Sequence, residues 1–188
     1  MDMYKLKWTR LQGEIFRLMC IRAGQTLNFR GIAKALKVTP TAVSKAITEL
    51  QKEGLIAVKT SEPMNLAAVR FNRDNKKAVE LKRTENLKMI YESGLSGYLF
   101  EEFPGCAILL FGSYSRGEDM WQEEGVENRS DIDIAIVGTK GKKLNLEKFE
   151  KLLERKITVN YYESWGGIHT YLKNNILNGI VLSGSIEL

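Results

Sequence analysis

Residues 107–111 read Ala-Ile-Leu-Leu-Phe, an unbroken apolar run of strand length, and the chain turns at once into Gly112-Ser113-Tyr114-Ser115-Arg116-Gly117. No other feature of the sequence restricts the fold as strongly. A strand apolar on both faces belongs inside a sheet that is covered on both sides. The glycine that ends it lets the backbone turn sharply and approach a ligand closely. The serine that follows opens a helix, where free N–H groups and the helix dipole favour phosphate. Further on, Ser130-Asp131-Ile132-Asp133-Ile134-Ala135-Ile136-Val137 reads as a second strand. Its period of two puts Asp131 and Asp133 on one face and Ile132, Ile134 and Ile136 on the other, which must be core. Two bare carboxylates side by side repel, so a divalent cation is their natural third party. Mg2+ (or Mn2+) there would bridge the carboxylates and the oxygens of a triphosphate.

The ordered pair of motifs, Gly-Ser-x-x-Arg-Gly then Ser-Asp-x-Asp, each attached to a strand, resembles the nucleotidyltransferase superfamily that includes polymerase beta. Its minimal members are the most similar, and the resemblance covers about residues 104–188. It implies that Gly112 and Ser113 hold the triphosphate tail. Asp131 and Asp133 would be the metal ligands and catalytic acids. Arg116 and Ser130 would lie on the nucleotide side, with Arg129 beside them. The implied reaction is attack of an acceptor hydroxyl on the α-phosphorus of a nucleoside triphosphate. The residues do not identify the acceptor; minimal relatives often modify a partner protein or sit in toxin–antitoxin pairs, so the resemblance allows a protein acceptor.

Two departures bear on that expectation. The spacer between Gly117 and Ser130 is long and acidic (Glu118, Asp119, Glu123, Glu124, Glu127) and reads as a solvated excursion, a lid or docking loop being the alternative. Active relatives add a third carboxylate from a neighbouring strand. Here that strand, Lys156–Glu163, places the neutral Asn160 in the third position.

The first 72 residues read differently. Thr9 and Gln12 form a capping box ahead of Leu11, Ile15, Leu18 and Met19 at helical spacing. Phe29–Leu36 fits a short second helix. Thr39-Pro40, a hydroxyl cap followed by proline, starts a third that ends near Gly54. Leu55–Lys59 and Ala67–Phe71 then read as two strands around the loop containing Pro63. This order resembles the winged helix-turn-helix family. Val43, Ile47 and Leu50 share the packing face of the third helix. Thr41, Ser44, Lys45 and Thr48 point the other way, suited to phosphates and base edges. The resemblance adds Lys59 and Arg70 as basic groups of the wing, with double-stranded DNA as partner. A homodimer is common for such domains.

Charge agrees with this division. Residues 1–75 hold 13 Lys and Arg against 6 Asp and Glu, a net +7; the remainder holds 15 against 17, a net −2. A basic front half suits a polyanion. Apolar runs stay far below the roughly 20 residues a bilayer needs. The N-terminus lacks the apolar core of a signal peptide. Cys20 and Cys106 match no metal or redox spacing and read as buried thiols. A cytoplasmic protein without a membrane partner is therefore expected.

The expected fold is α+β: a winged helix-turn-helix over 1–72, a helical connector over 73–103 bent or broken at Gly94 and Gly97, and a nucleotidyltransferase-like α/β domain with a mixed sheet over 104–188. The expected function is Mg2+-dependent nucleotidyl transfer beside a DNA-binding domain. The rival is a non-catalytic DNA-binding transcriptional regulator with a degenerate, nucleotide-sensing domain.

Overall fold

The computed structural model describes residues 7–61, 66–121 and 131–187. They form two compact units. One runs to Lys82 and takes in Met120 and Trp121; the other holds Arg83–Asp119 and continues from Asp131. Pro63, Arg129, Ser130 and most of the acidic spacer lie outside the described residues.

In the first unit, α1 (Arg10–Ile21) begins with a reciprocal cap. Gln12 N–H donates to Thr9 Oγ1 at 3.3 Å, and Thr9 N–H donates to Gln12 Oε1 at 2.7 Å. Its buried stripe is Ile15, Phe16, Met19 and Cys20. A short strand follows, β1 (Thr26–Asn28), for which the sequence gives no signal. It is three residues long and pairs with a distant strand, so local periodicity could not reveal it. Asn28 then caps α2 (Phe29–Leu36) by accepting from Gly31 N–H at 2.7 Å. Thr39 caps α3 (Pro40–Lys52), accepting from Ala42 N–H at 3.2 Å. The wing is an antiparallel hairpin of β2 (Ile56–Ser61) and β3 (Leu66–Phe71), and β1 joins it in the order β1-β3-β2. Val43, Ile47, Leu50, Ile56, Val69 and Phe71 close one core with the α1 stripe.

A polar anchor ties the ends of this unit together. Glu53, just past α3, accepts from Lys7 Nζ at 2.6 Å, Lys77 Nζ at 2.8 Å and Trp8 Nε1 at 3.1 Å. Burial alone would raise its carboxyl; the bonds from Lys7, Lys77 and Trp8, with the charge on Lys77, outweigh that and hold it at about 2.

Helix α4 (Lys76–Glu92) starts in the first unit and ends in the second. Gly94, with φ of 80°, separates it from α5 (Leu95–Glu102). Gly97 does not break the chain as expected. It lies within α5, at a place where an added Cβ would meet nothing, so the helix simply runs through it.

The second unit is built on β4 (Ala107–Phe111), β5 (Ile132–Val137), β6 (Ile157–Tyr162) and β7 (Ile180–Ser183), in the order β6-β5-β4-β7. β4 is antiparallel to β5 and β7, whereas β5 and β6 are parallel, so the sheet is mixed. The helices α6 (Gly112–Arg116), α7 (Glu147–Leu153) and α8 (Thr170–Leu177) connect it. Leu109, Phe111, Ala135 and Val137 pack with Ile168 and Ile176 on one face. By alternation, Ile108, Leu110, Ile132, Ile134 and Ile136 fill the other, each at most 1% exposed. Coverage on both sides explains the unbroken run at 107–111. Cys20 and Cys106 are both buried, and neither forms a disulfide. Among the described residues, no helix is long and apolar enough to cross a membrane.

Candidate functional site

Strand β4 passes directly into α6, and the register sets what stands above that junction. Phe111 pairs with Asp133. Asp133 therefore lies beside the turn, and its carboxylate fills the space a Cβ on Gly112 would need. Gly112 also has φ of 74°, which a side chain would strain. Glycine is required here twice over: for the turn, and for the approach of the acid. Ser113 is half-buried, and no side chain caps the first turn of the five-residue α6. Ser115 Oγ donates to Gly112 O at 2.8 Å, and Glu118 N–H to Ser113 O at 3.0 Å, so the turn is fixed from within. Arg116 is exposed. Its Nε donates to Glu118 Oε2 at 2.8 Å and its Nη1 to Asn175 Oδ1 at 3.3 Å.

Asp131 stands immediately before β5, not inside it as the alternation suggested. Its Oδ2 accepts from Thr158 Oγ1 at 2.9 Å. Its Oδ1 is buried and has no hydrogen-bond partner among the described residues. Burial first, then the charge on Asp131, push the Asp133 carboxyl above the usual carboxylate range; Arg116 acts in the opposite sense. The two acids thus feel each other, and one of them keeps a buried oxygen without a donor. Both observations fit a cation. Among the described residues, no group of three or more His, Cys, Asp or Glu surrounds one. Mg2+ suits such a two-carboxylate site, because it commonly takes one or two carboxylates and completes its shell with phosphate oxygens and water.

The third position is corrected by the register. β5 and β6 pair Asp133 with Thr158 and Ala135 with Asn160. Asn160 is therefore displaced along β6 by about 6–7 Å, two strand steps. Thr158 occupies the place beside the acids and bonds to one of them. Both residues have the same parity, and parity was all that a lone strand could offer.

On the first unit, Thr41, Ser44, Lys45 and Thr48 are all exposed on α3, while Val43, Ala46, Ile47 and Leu50 are buried. Thr48 Oγ1 donates to Ser44 O at 3.3 Å. In the hairpin, Lys59 pairs with Ala68 and Arg70 with Ala57. Cross-strand partners share a face, so both basic groups lie on one side of the wing, opposite the buried Val69 and Phe71.

Two family models match the chain: "MarR family" over residues 12–62 and "Nucleotidyltransferase domain" over residues 92–183. The chain joins a MarR-family winged helix to a nucleotidyltransferase domain. Similar solved structures include the adhesin competence repressor AdcR of Streptococcus pyogenes, with 22% identity, 52% of this chain and 69% of that one covered, and a TM-score of 0.40. The zinc-responsive MarR family member ZitR of Lactococcus lactis shows 25% identity, 53% and 65% coverage, and a TM-score of 0.38. The MepR–DNA complex of S. aureus shows 21% identity, 50% and 77% coverage, and a TM-score of 0.37. No curated protein matches the chain.

The second unit contains a polar cluster that the sequence did not reveal. Asp119 belongs by sequence to the spacer expected to be solvated, yet it is 2% exposed. Asn86 Nδ2 donates to Asp119 Oδ1 at 2.7 Å and to Tyr114 O at 2.8 Å, and Arg155 Nη2 donates to Asp119 Oδ2 at 3.0 Å. These partners are far apart in sequence, which hid the cluster. A trace existed on α4, whose buried positions include Ala78, Lys82 and Asn86 at steps of four. Two polar residues on a helix's buried stripe call for partners.

Proposed function

We propose that the protein is a DNA-binding regulator whose nucleotidyltransferase domain binds a nucleoside triphosphate with Mg2+ (or Mn2+) and carries out little or no nucleotidyl transfer. Thr158 carries this reading. Gly112, Ser113 and Arg116 would take the triphosphate tail, and Asp131 and Asp133 would hold the cation; Ser130, expected on the nucleotide side, lies outside the described residues. When bound, the cation would neutralise phosphate charge and link the nucleotide to the two acids. Transfer needs more. The attacking hydroxyl must give up a proton as its oxygen bonds to the α-phosphorus and the bond to pyrophosphate breaks. Thr158 is neutral, already donates its hydrogen to Asp131, and cannot serve as the base.

Duplex DNA is the proposed partner of the winged helix. The exposed hydroxyls and lysine of α3 would enter the major groove, while Lys59 and Arg70 would meet the backbone. A homodimer and a cytoplasmic location belong to the same proposal, since two copies would read paired half-sites.

The second reading is an active transferase with a protein acceptor. The Gly112 turn set against Asp133, with Asp131 beside it, is what such an enzyme would need to hold the metal and the triphosphate. Incubation with Mg2+ and α-labelled triphosphates, alone and with candidate partners, separates the two. The first reading expects bound nucleotide and no transferred label. Label transfer that disappears in D131A/D133A would establish the second instead.

A further inference from the structure

We propose that Asn86 is a positioning residue for the triphosphate-holding turn, acting through the backbone carbonyl of Tyr114. The inference rests on the nucleotide-binding reading above. The Asn86 amide makes two short hydrogen bonds from one nitrogen, to Tyr114 O at 2.8 Å and to Asp119 Oδ1 at 2.7 Å. An amide nitrogen carries two hydrogens, so its donor capacity is fully used. The bond is returned: Tyr114 OH donates to Asn86 O at 3.5 Å. Asp119 is in turn held by Arg155, in an ion pair whose side chains are 5% and 1% exposed. Asn86, Asp119 and Tyr114 are each at most 2% exposed.

The cluster grips both sides of the turn. Tyr114 is the residue after Ser113, and Asp119 follows Glu118, whose N–H donates to Ser113 O. The short helix α6 therefore cannot rotate without breaking a buried bond. Its five residues would not hold a fixed geometry alone. A buried ion pair is a poor source of net stability, and apolar packing of the same volume often does as well. What a buried hydrogen-bonded network supplies is a single arrangement. That arrangement aims the Gly112–Ser113 backbone toward the side where Asp133 sits.

The test uses the full chain, with inorganic triphosphate plus Mg2+ as the probe of the turn and Mn2+ alone as the probe of Asp131 and Asp133. Two variants are compared with the wild type: N86A, and the exchange N86D/D119N. In the exchange, an amide introduced at position 119 can bond a carboxylate introduced at position 86 and still accept from Arg155. The Tyr114 carbonyl then loses the Asn86 amide and keeps only the Gly117 N–H at 3.2 Å among its described donors. The exchange is expected to lower the melting temperature, because Arg155 loses its carboxylate partner, yet to fold and bind Mn2+ normally. Triphosphate should bind about tenfold more weakly, the scale of one buried hydrogen bond. A purely structural role would move all three measurements together, or none. Normal triphosphate affinity in either folded variant overturns the proposal. Failure of both variants to fold also overturns it, because the cluster would then belong to the folding core. Absence of Mn2+ and triphosphate binding in the wild type would refute the nucleotide-binding reading itself, and the positioning role with it.

Discussion

Gly112 and Asp133 are the residues on which the site closes, and each has a measurable cost. Gly112→Ala adds a Cβ at a φ of 74°, against the Asp133 carboxylate. It should destabilise the domain by about 1–3 kcal/mol. Chemical denaturation would show this as a lower midpoint at unchanged slope. Asp133 carries a different cost. Its carboxyl is raised in the folded protein, so above that value the charged form opposes folding. Lowering the pH through the folded value should therefore increase the metal-free stability contributed by this group, fully so below the unfolded carboxylate range. Asp133→Asn should remove that dependence and raise the melting temperature at neutral pH by a few degrees. A neutral-pH melting temperature below wild type would show that the acid is not strained. The motifs Gly-Ser and Asp-x-Asp were readable because each is local and chemically unusual. The neighbour supplied by β6 was not, since a two-residue slip in register leaves parity unchanged and exchanges Thr158 for Asn160.

At the scale of elements, the helices of the first unit could be read from their caps. Thr9, Thr39 and Pro40 fix helix starts through backbone geometry that the sequence states directly. β1 could not be read, since its existence depends on β3. The exposed face of α3 leads to a binding prediction. Lys45→Ala should weaken duplex binding and reduce the slope of log affinity against log salt by about one. Filter retention across a salt series measures both; an unchanged slope would remove Lys45 from the interface. The anchor at Glu53 leads to a stability prediction. Its carboxyl is depressed to about 2 from 4.5, so its contribution is present above 4.5 and is lost as pH falls toward 2. Glu53→Gln should cost about 1–2 kcal/mol at neutral pH, allowing for solvent screening of the lysine partners, and little near pH 2. Equal loss at both pH values would mean the anchor acts by packing alone.

On the scale of the whole chain, a basic winged helix and a near-neutral nucleotidyltransferase domain are carried on one polypeptide, with α4 continuous from one unit into the other. The charge division was visible from composition. The buried bonds among Asn86, Asp119 and Arg155 were not, because they join residues brought together only by the completed fold. Nucleotide binding here requires that two acids and a glycine turn share one cation and one polyphosphate. Equilibrium titration of the full chain with a nucleoside triphosphate, in Mg2+ and again in excess EDTA, tests this most directly when repeated on D131N/D133N. Saturable binding that requires Mg2+ and is lost in the double variant is the predicted result. Binding of equal strength in EDTA or in the double variant, or no saturable binding to the wild type, would contradict the account.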